Sequence, residues 1–162
     1  MRAIVRVAAA LAWLAAAVCG ASADERWATY VNDRFGFTLA YPADVLVMQP
    51  APENDDGRTL AAFDGAKILV FGGYNVANDT LASKRASLKG LDYARITYNA
   101  TGKNWFVVSG HRAIGGIDSI FYEKYIVSAA DTIHSLIVTY PATLKARYDP
   151  IVDRVAASFA GP

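Results

Sequence analysis

His111 and His134 are the only imidazoles in this 162-residue chain, so chemistry that needs a group titrating near neutrality has to pass through them. Ser109-Gly110-His111 sets an alcohol two residues from an imidazole, the pair a nucleophilic serine requires, and Asp118 or Glu123 supplies a third group to orient the base. The same two histidines with one of those carboxylates make a three-ligand set for zinc or copper. The sharp Gly-x-Ser-x-Gly elbow is missing around Ser109, and residues this close in sequence seldom present nucleophile and base correctly. His111 sits just after one strand and His134 near the start of another, so a loop histidine and a sheet histidine, each with an ordinary hydrogen-bond partner, is the simpler expectation. A small hydrolase or metal-dependent enzyme using Ser109, His111 and His134 stands as the alternative. No catalytic, metal or cofactor residue is assigned.

Charge within apolar sequence is the better signal. Glu123 and Lys124 are neighbours on a strand with little polar face, so they point to opposite sides and each needs a partner or a route to water. Arg112 or Arg95 can serve Glu123. With His111, His134 and Trp105, the residues Glu123, Lys124 and Arg112 form the candidate set for contact with a ligand or partner. The tyrosines at 93, 98, 122, 125, 140 and 148 read with Trp105 as mostly core; several of them exposed together would mark a docking patch. Lys84, Arg85, Lys89, Arg95 and Lys103 read as the wet side of a helix and its surroundings. Glu53-Asn54-Asp55-Asp56-Gly57 gathers oxygen ligands, but an EF-hand aligned on Gly57 starts at Pro52 and ends at Phe63, where an acid and a bidentate Glu belong. Gly72-Gly73 and Gly115-Gly116 lack the context of a phosphate loop and read as a bulge or edge and a flexible loop tip.

A β-meander must position these groups. Three strands are predicted at Asn104–Ser109, Ser119–Ser128 and Thr132–Tyr140, joined by a longer glycine-containing connection and then a tight turn at 129–131. In the middle strand both parities are apolar, Phe121, Tyr125 and Val127 against Ile120, Tyr122 and Ile126, so both faces of the sheet must be covered. Further strands are predicted at Trp27–Tyr30, Phe35–Tyr41, Asp44–Met48, Thr59–Phe63, Lys67–Tyr74 and Ala94–Asn99, with a type I′ turn at Asp64-Gly65. A helix is predicted over Asp79–Lys89, capped by Asp79 or Thr80 and ended by Gly90, with Leu81, Leu88, Ala82 and Ala86 inward. Near the C-terminus, Pro141 and Thr143 open a helical turn and Asp149-Pro150 restarts it. Ile151, Val152, Val155, Ala156 and Phe159 then make one apolar stripe. The fold class is α+β, a central antiparallel sheet with helices packed on it.

The first residues read as an address. Arg2 and Arg6 precede an apolar run from Val7 to Val18, and Ala21-Ser22-Ala23 suits signal cleavage, which makes 1–23 a signal peptide and 24–162 a single domain. That run is shorter than the roughly 20 residues a membrane helix needs, and no later segment qualifies. The destination is periplasmic or secreted after cleavage near Ala23, with a lipoprotein anchored at Cys19, the single cysteine, as the alternative. Sixteen Lys and Arg less Arg2 and Arg6 leave 14 against 15 Asp and Glu, a net charge of −1 after cleavage. That balance carries no footprint for nucleic acid.

Tyr30-Val31-Asn32-Asp33-Arg34-Phe35-Gly36-Phe37-Thr38-Leu39-Ala40-Tyr41-Pro42 and the closing Val155-Ala156-Ala157-Ser158-Phe159 resemble the two ends of PsbP-like proteins. The chain from 24 on is also similar to uncharacterised exported proteins of proteobacteria that share Asn32 to Phe37, Pro52-Glu53-Asn54, Trp105 to Gly110 and Tyr122-Glu123-Lys124. The PsbP-like resemblance implies a central antiparallel sheet sandwiched by helices and used mostly for docking onto protein partners; it brings no catalytic residue and no cofactor. The expectation is an exported, non-enzymatic domain that binds an envelope protein or a small ligand, with a hydrophobic-ligand carrier as a further alternative.

Overall fold

Residues 25–88 and 95–161 are described in a computed structural model; the N-terminal address with Cys19, the helix stop at Gly90, Lys89 and Tyr93 lie outside the described residues. A hairpin of β1 (Trp27–Val31) and β2 (Thr38–Pro42) precedes the main sheet. That sheet comprises β3 (Val47–Met48), β4 (Gly57–Ala61), β5 (Lys67–Tyr74), β6 (Arg95–Thr101), β7 (Trp105–Ile114), β8 (Ile117–Val127) and β9 (Thr132–Pro141). All seven pair antiparallel, in the order β3-β4-β5-β9-β8-β7-β6. Two helices, α1 (Leu81–Ser87) and α2 (Lys145–Ser158), pack on it, so the fold is α+β.

The α2 side holds the larger core. Leu60, Ile68, Val70, Leu136, Val138, Tyr140, Ile120 and Ile126 lie under Tyr148, Ile151, Val152, Val155, Ala156 and Phe159, with the first hairpin closing one end through Phe37 and Leu39. The apolar stripe of the last helix is therefore buried as its spacing predicts. The opposite side buries Phe106, Val108, Phe121 and Tyr125 with Leu88, and Leu81 is packed against them.

Several details differ from expectation. β7 runs on through Gly110 and His111, and its link to β8 is the two-residue turn Gly115-Gly116, both at positive φ (57° and 80°) as a type I′ hairpin demands. At Asp64-Gly65 only Gly65 takes positive φ, and a turn closed by Gly65 N–H to the Ala62 carbonyl replaces the two-residue hairpin. Phe35–Phe37 belongs to a turn ordered by Asn32, whose Oδ1 accepts from the Phe35 N–H and whose Nδ2 donates to Tyr30 Oη and the Asp55 carbonyl. Ala82 and Ala86 face solvent, and the helix is capped by Thr80 with Ser83 completing a capping box. Its basic residues are engaged with the sheet: Lys84 stands 5.6 Å from the Tyr125 ring centroid and Arg85 donates to Asn99 and Thr101. α2 passes through Pro150 without restarting, and Asp149 accepts from Tyr140 and Lys145 in place of capping a new helix.

Candidate functional site

Antiparallel register decides which side chains share a face. Trp105, Val107, Ser109 and His111 of β7 stand opposite Ile126, Lys124, Tyr122 and Ile120 of β8, all on the α2 side. α2 covers β9 and part of β8, and leaves β7 and β6 beyond its flank. A cleft of about 620 Å³ results, floored by these strands and walled by Asp149, Val152, Asp153 and Ala156 of the helix.

One irregularity completes it. Ile96 pairs with Gly110 and Tyr98 with Ser109, so Thr97 is an extra residue, a β-bulge. The bulge changes the parity of β6 and turns Tyr98 onto the cleft side. It is possible because position 110 is glycine: a Cβ there would overlap the Arg95 carbonyl oxygen and lie 2.8 Å from the Ile96 Cα. Trp105 is seated in a similar way, its indole lying over Gly102 in space a side chain would fill.

Tyr98 is 54% exposed, while Trp105 and Tyr122 are half-buried, and all three line the cleft. Burial is the main cause that raises the Tyr122 pKa to about 12, followed by the charges of Tyr98 and Asp153. Tyr140 is pushed higher still by burial and by its hydrogen bond to Asp149. The tyrosines thus divide: 98 and 122 form the patch, whereas 125, 140 and 148 are core.

The six candidate residues have different roles. Lys124 reaches beneath the end of α2 and donates to the carbonyls of Ala156 (2.8 Å) and Phe159 (3.2 Å), groups a helix C-terminus leaves without partners. Burial lowers its pKa. Glu123 points to the other face, is 2% exposed, and accepts from Arg112 (3.2 Å) and Tyr125 Oη (2.9 Å). Glu123 and Arg112 therefore form an ion pair on the face away from the cleft. Trp105 and His111 line the cleft, and His111 Nδ1 lies 3.1 Å from Asp118.

His134 is fully buried beside Phe37, bonded through Nε2 to Thr132 Oγ1 (3.0 Å), and its Nδ1 has no partner among the described residues. Burial lowers its pKa. The histidines do not meet. His111 pairs with Ile120 and His134 with Ile126, six positions along β8, which is about 20 Å along the strand. Ser109 Oγ donates to the Phe121 carbonyl (2.7 Å). Among the described residues no group of three or more His, Cys, Asp or Glu could hold a metal.

Sequence reasoning placed Tyr98 only in a conditional docking patch with the other tyrosines and Trp105, and left Asp153 out. The signal for the first was Gly110 in mid-strand, and for the second the spacing of 149, 152, 153 and 156 along one helix flank.

No protein-family profile and no curated protein matches the chain. Solved structures do. Cyanobacterial PsbP (CyanoP) from Synechocystis has a TM-score of 0.61 at 11% identity, covering 89% of this chain and 97% of that one. The Ran-binding protein Mog1p of Saccharomyces cerevisiae has a TM-score of 0.59 at 10% identity, covering 85% and 96%. LpqN, involved in cell envelope biogenesis of Mycobacterium tuberculosis, has a TM-score of 0.58 at 13% identity, covering 85% and 91%. The chain shares the PsbP and Mog1 type of fold.

Proposed function

We propose that this chain is an exported, non-catalytic domain that binds a partner protein through the cleft between α2 and strands β6 to β8. The observation that carries this reading is the joint presentation of Tyr98, Trp105 and Tyr122 in an open cleft of about 620 Å³. Aromatic side chains offer large contact area at small entropic cost and are enriched where proteins meet. Beside the cleft runs β6, the end strand of the sheet, exposed along most of its length. A partner chain can therefore reach the cleft across that edge. The fold shared with Mog1p, a Ran-binding protein, is consistent with a scaffold used for docking. Export rests on the N-terminal sequence, with release near Ala23.

A photo-crosslinking residue placed at Tyr98 in the full chain, expressed in its own cells, tests both parts. The expected result is an adduct with one envelope protein from position 98 and none from Tyr74, an exposed aromatic remote from the cleft. Equal labelling from both positions, or none from position 98, overturns the reading.

A further inference from the structure

The ladder sets Tyr98, Ser109 and Tyr122 side by side in one cross-strand row on the cleft face. Neighbouring strands are about 4.8 Å apart, so the tyrosines stem from positions about 9.5 Å apart with only a serine between them. A group stacked against a ring needs about 3.5–4 Å of separation, so the two walls leave room for one flat group and little more. Ser109 is small and its hydroxyl proton is taken by the Phe121 carbonyl, so the floor of this slot is low.

Asp153 projects from α2 into the same part of the cleft and makes no hydrogen bond or ion pair among the described residues. The other acidic and basic side chains lining the cleft have hydrogen-bond partners. Lys145 is paired with Asp149, His111 Nδ1 lies 3.1 Å from Asp118, and Lys124, one row along the strands from Tyr122, gives its hydrogen bonds to the helix carbonyls of Ala156 and Phe159. Arg95, opposite His111, stands outside the lining residues. This part of the cleft thus offers two aromatic walls and one carboxylate that has no hydrogen bond or ion pair among the described residues. That combination attracts a cation, because ring faces carry negative electrostatic potential.

We propose that the slot between Tyr98 and Tyr122 takes the guanidinium of an arginine side chain carried by the partner protein, with Asp153 as its counter-ion. A guanidinium is planar, stacks on aromatic faces and pairs with a carboxylate, whereas an ammonium is a compact point charge that does not fill a flat slot. The inference rests on the cleft being the partner site.

The test is an NMR titration of the full chain with the blocked tripeptide acetyl-Gly-Arg-Gly-amide, its lysine and citrulline counterparts, and tetramethylammonium. The arginine peptide is expected to shift the amides of Tyr98, Ser109 and Tyr122 saturably, and the uncharged citrulline peptide to bind about tenfold more weakly. Asp153→Asn should weaken the arginine peptide by about five- to tenfold and leave the citrulline peptide unchanged, while Asp131→Asn, in the turn before β9, changes neither. Equal binding of arginine and citrulline, or an Asp153→Asn variant that binds as the parent does, overturns the proposal. So does a lysine peptide as tight as arginine, or tetramethylammonium binding where the arginine peptide does not. If the position-98 crosslink persists while arginine shows no preference, the partner cleft stands and only the arginine slot is lost.

Discussion

Replacing Lys124 by methionine separates a residue that contacts a partner from one that holds the fold together. The ammonium donates two hydrogen bonds to the Ala156 and Phe159 carbonyls, and next to them Ala160 makes the bridge that ties the chain end to Thr38 of β2. Hydrogen bonds to a charged group contribute about 1.5–3 kcal/mol each, and a cation at a helix C-terminus about a further 0.3–1 kcal/mol. Burial of the ammonium, which lowers its pKa, opposes these gains, and methionine keeps most of the packing against Trp105 and Phe159. The net loss is about 2 kcal/mol, a factor of roughly 30 in the folding equilibrium. With an m value of about 2 kcal/mol per molar, the urea midpoint falls by roughly 1 M. Hydrogen exchange should localise the change, with faster exchange at Phe159 and at Thr38, whose N–H groups bond to Val155 and Ala160. An unchanged midpoint with unchanged exchange at those two amides refutes the assignment of Lys124 to the helix end.

Two further outcomes test the interior and the bulge. Because burial lowers the pKa of His134 from its ordinary 6.5, the unfolded chain binds the proton more readily than the folded one. Stability therefore rises with pH between the depressed folded value and 6.5, and is lost on acidification through that window. Denaturation at pH 7.5 and pH 5 should show the parent losing up to about 2 kcal/mol and His134→Gln losing distinctly less; equal slopes contradict the assignment. Gly110→Ala forces β6 away from β7 at the bulge, so Tyr98 should leave the cleft. We expect faster amide exchange along β6 and a stability loss of about 1–3 kcal/mol, whereas unaltered protection at Tyr98 contradicts the role given to this glycine.

The sheet was legible because its strands are long and their apolar residues continuous. Tertiary burial then merely covered what periodicity had marked, from Lys67–Tyr74 to the stripe Ile151, Val152, Val155, Ala156 and Phe159. Turn chemistry was harder. Gly110 and Gly115-Gly116 are equally plausible breaks in sequence, and only the pairing of β7 with β8 out to Ile114 and Ile117 shows which pair makes the hairpin. Reading the strand to end at Ser109 put His111 in a loop and hid the row formed by Tyr98, Ser109 and Tyr122. The charged residues were singled out for a sound reason, since Glu123 and Lys124 do point to opposite faces. What each reaches depends on partners distant in sequence: Lys124 meets carbonyls 32 and 35 residues away, and no local pattern encodes that. A buried charge and a binding charge look alike in sequence because both interrupt apolar residues. They differ in whether the fold has already supplied a bonding partner, as it has for Lys124 and Glu123 and, among the described residues, has not for Asp153. The residue left unmatched is therefore a better guide to a partner than the residue most deeply buried.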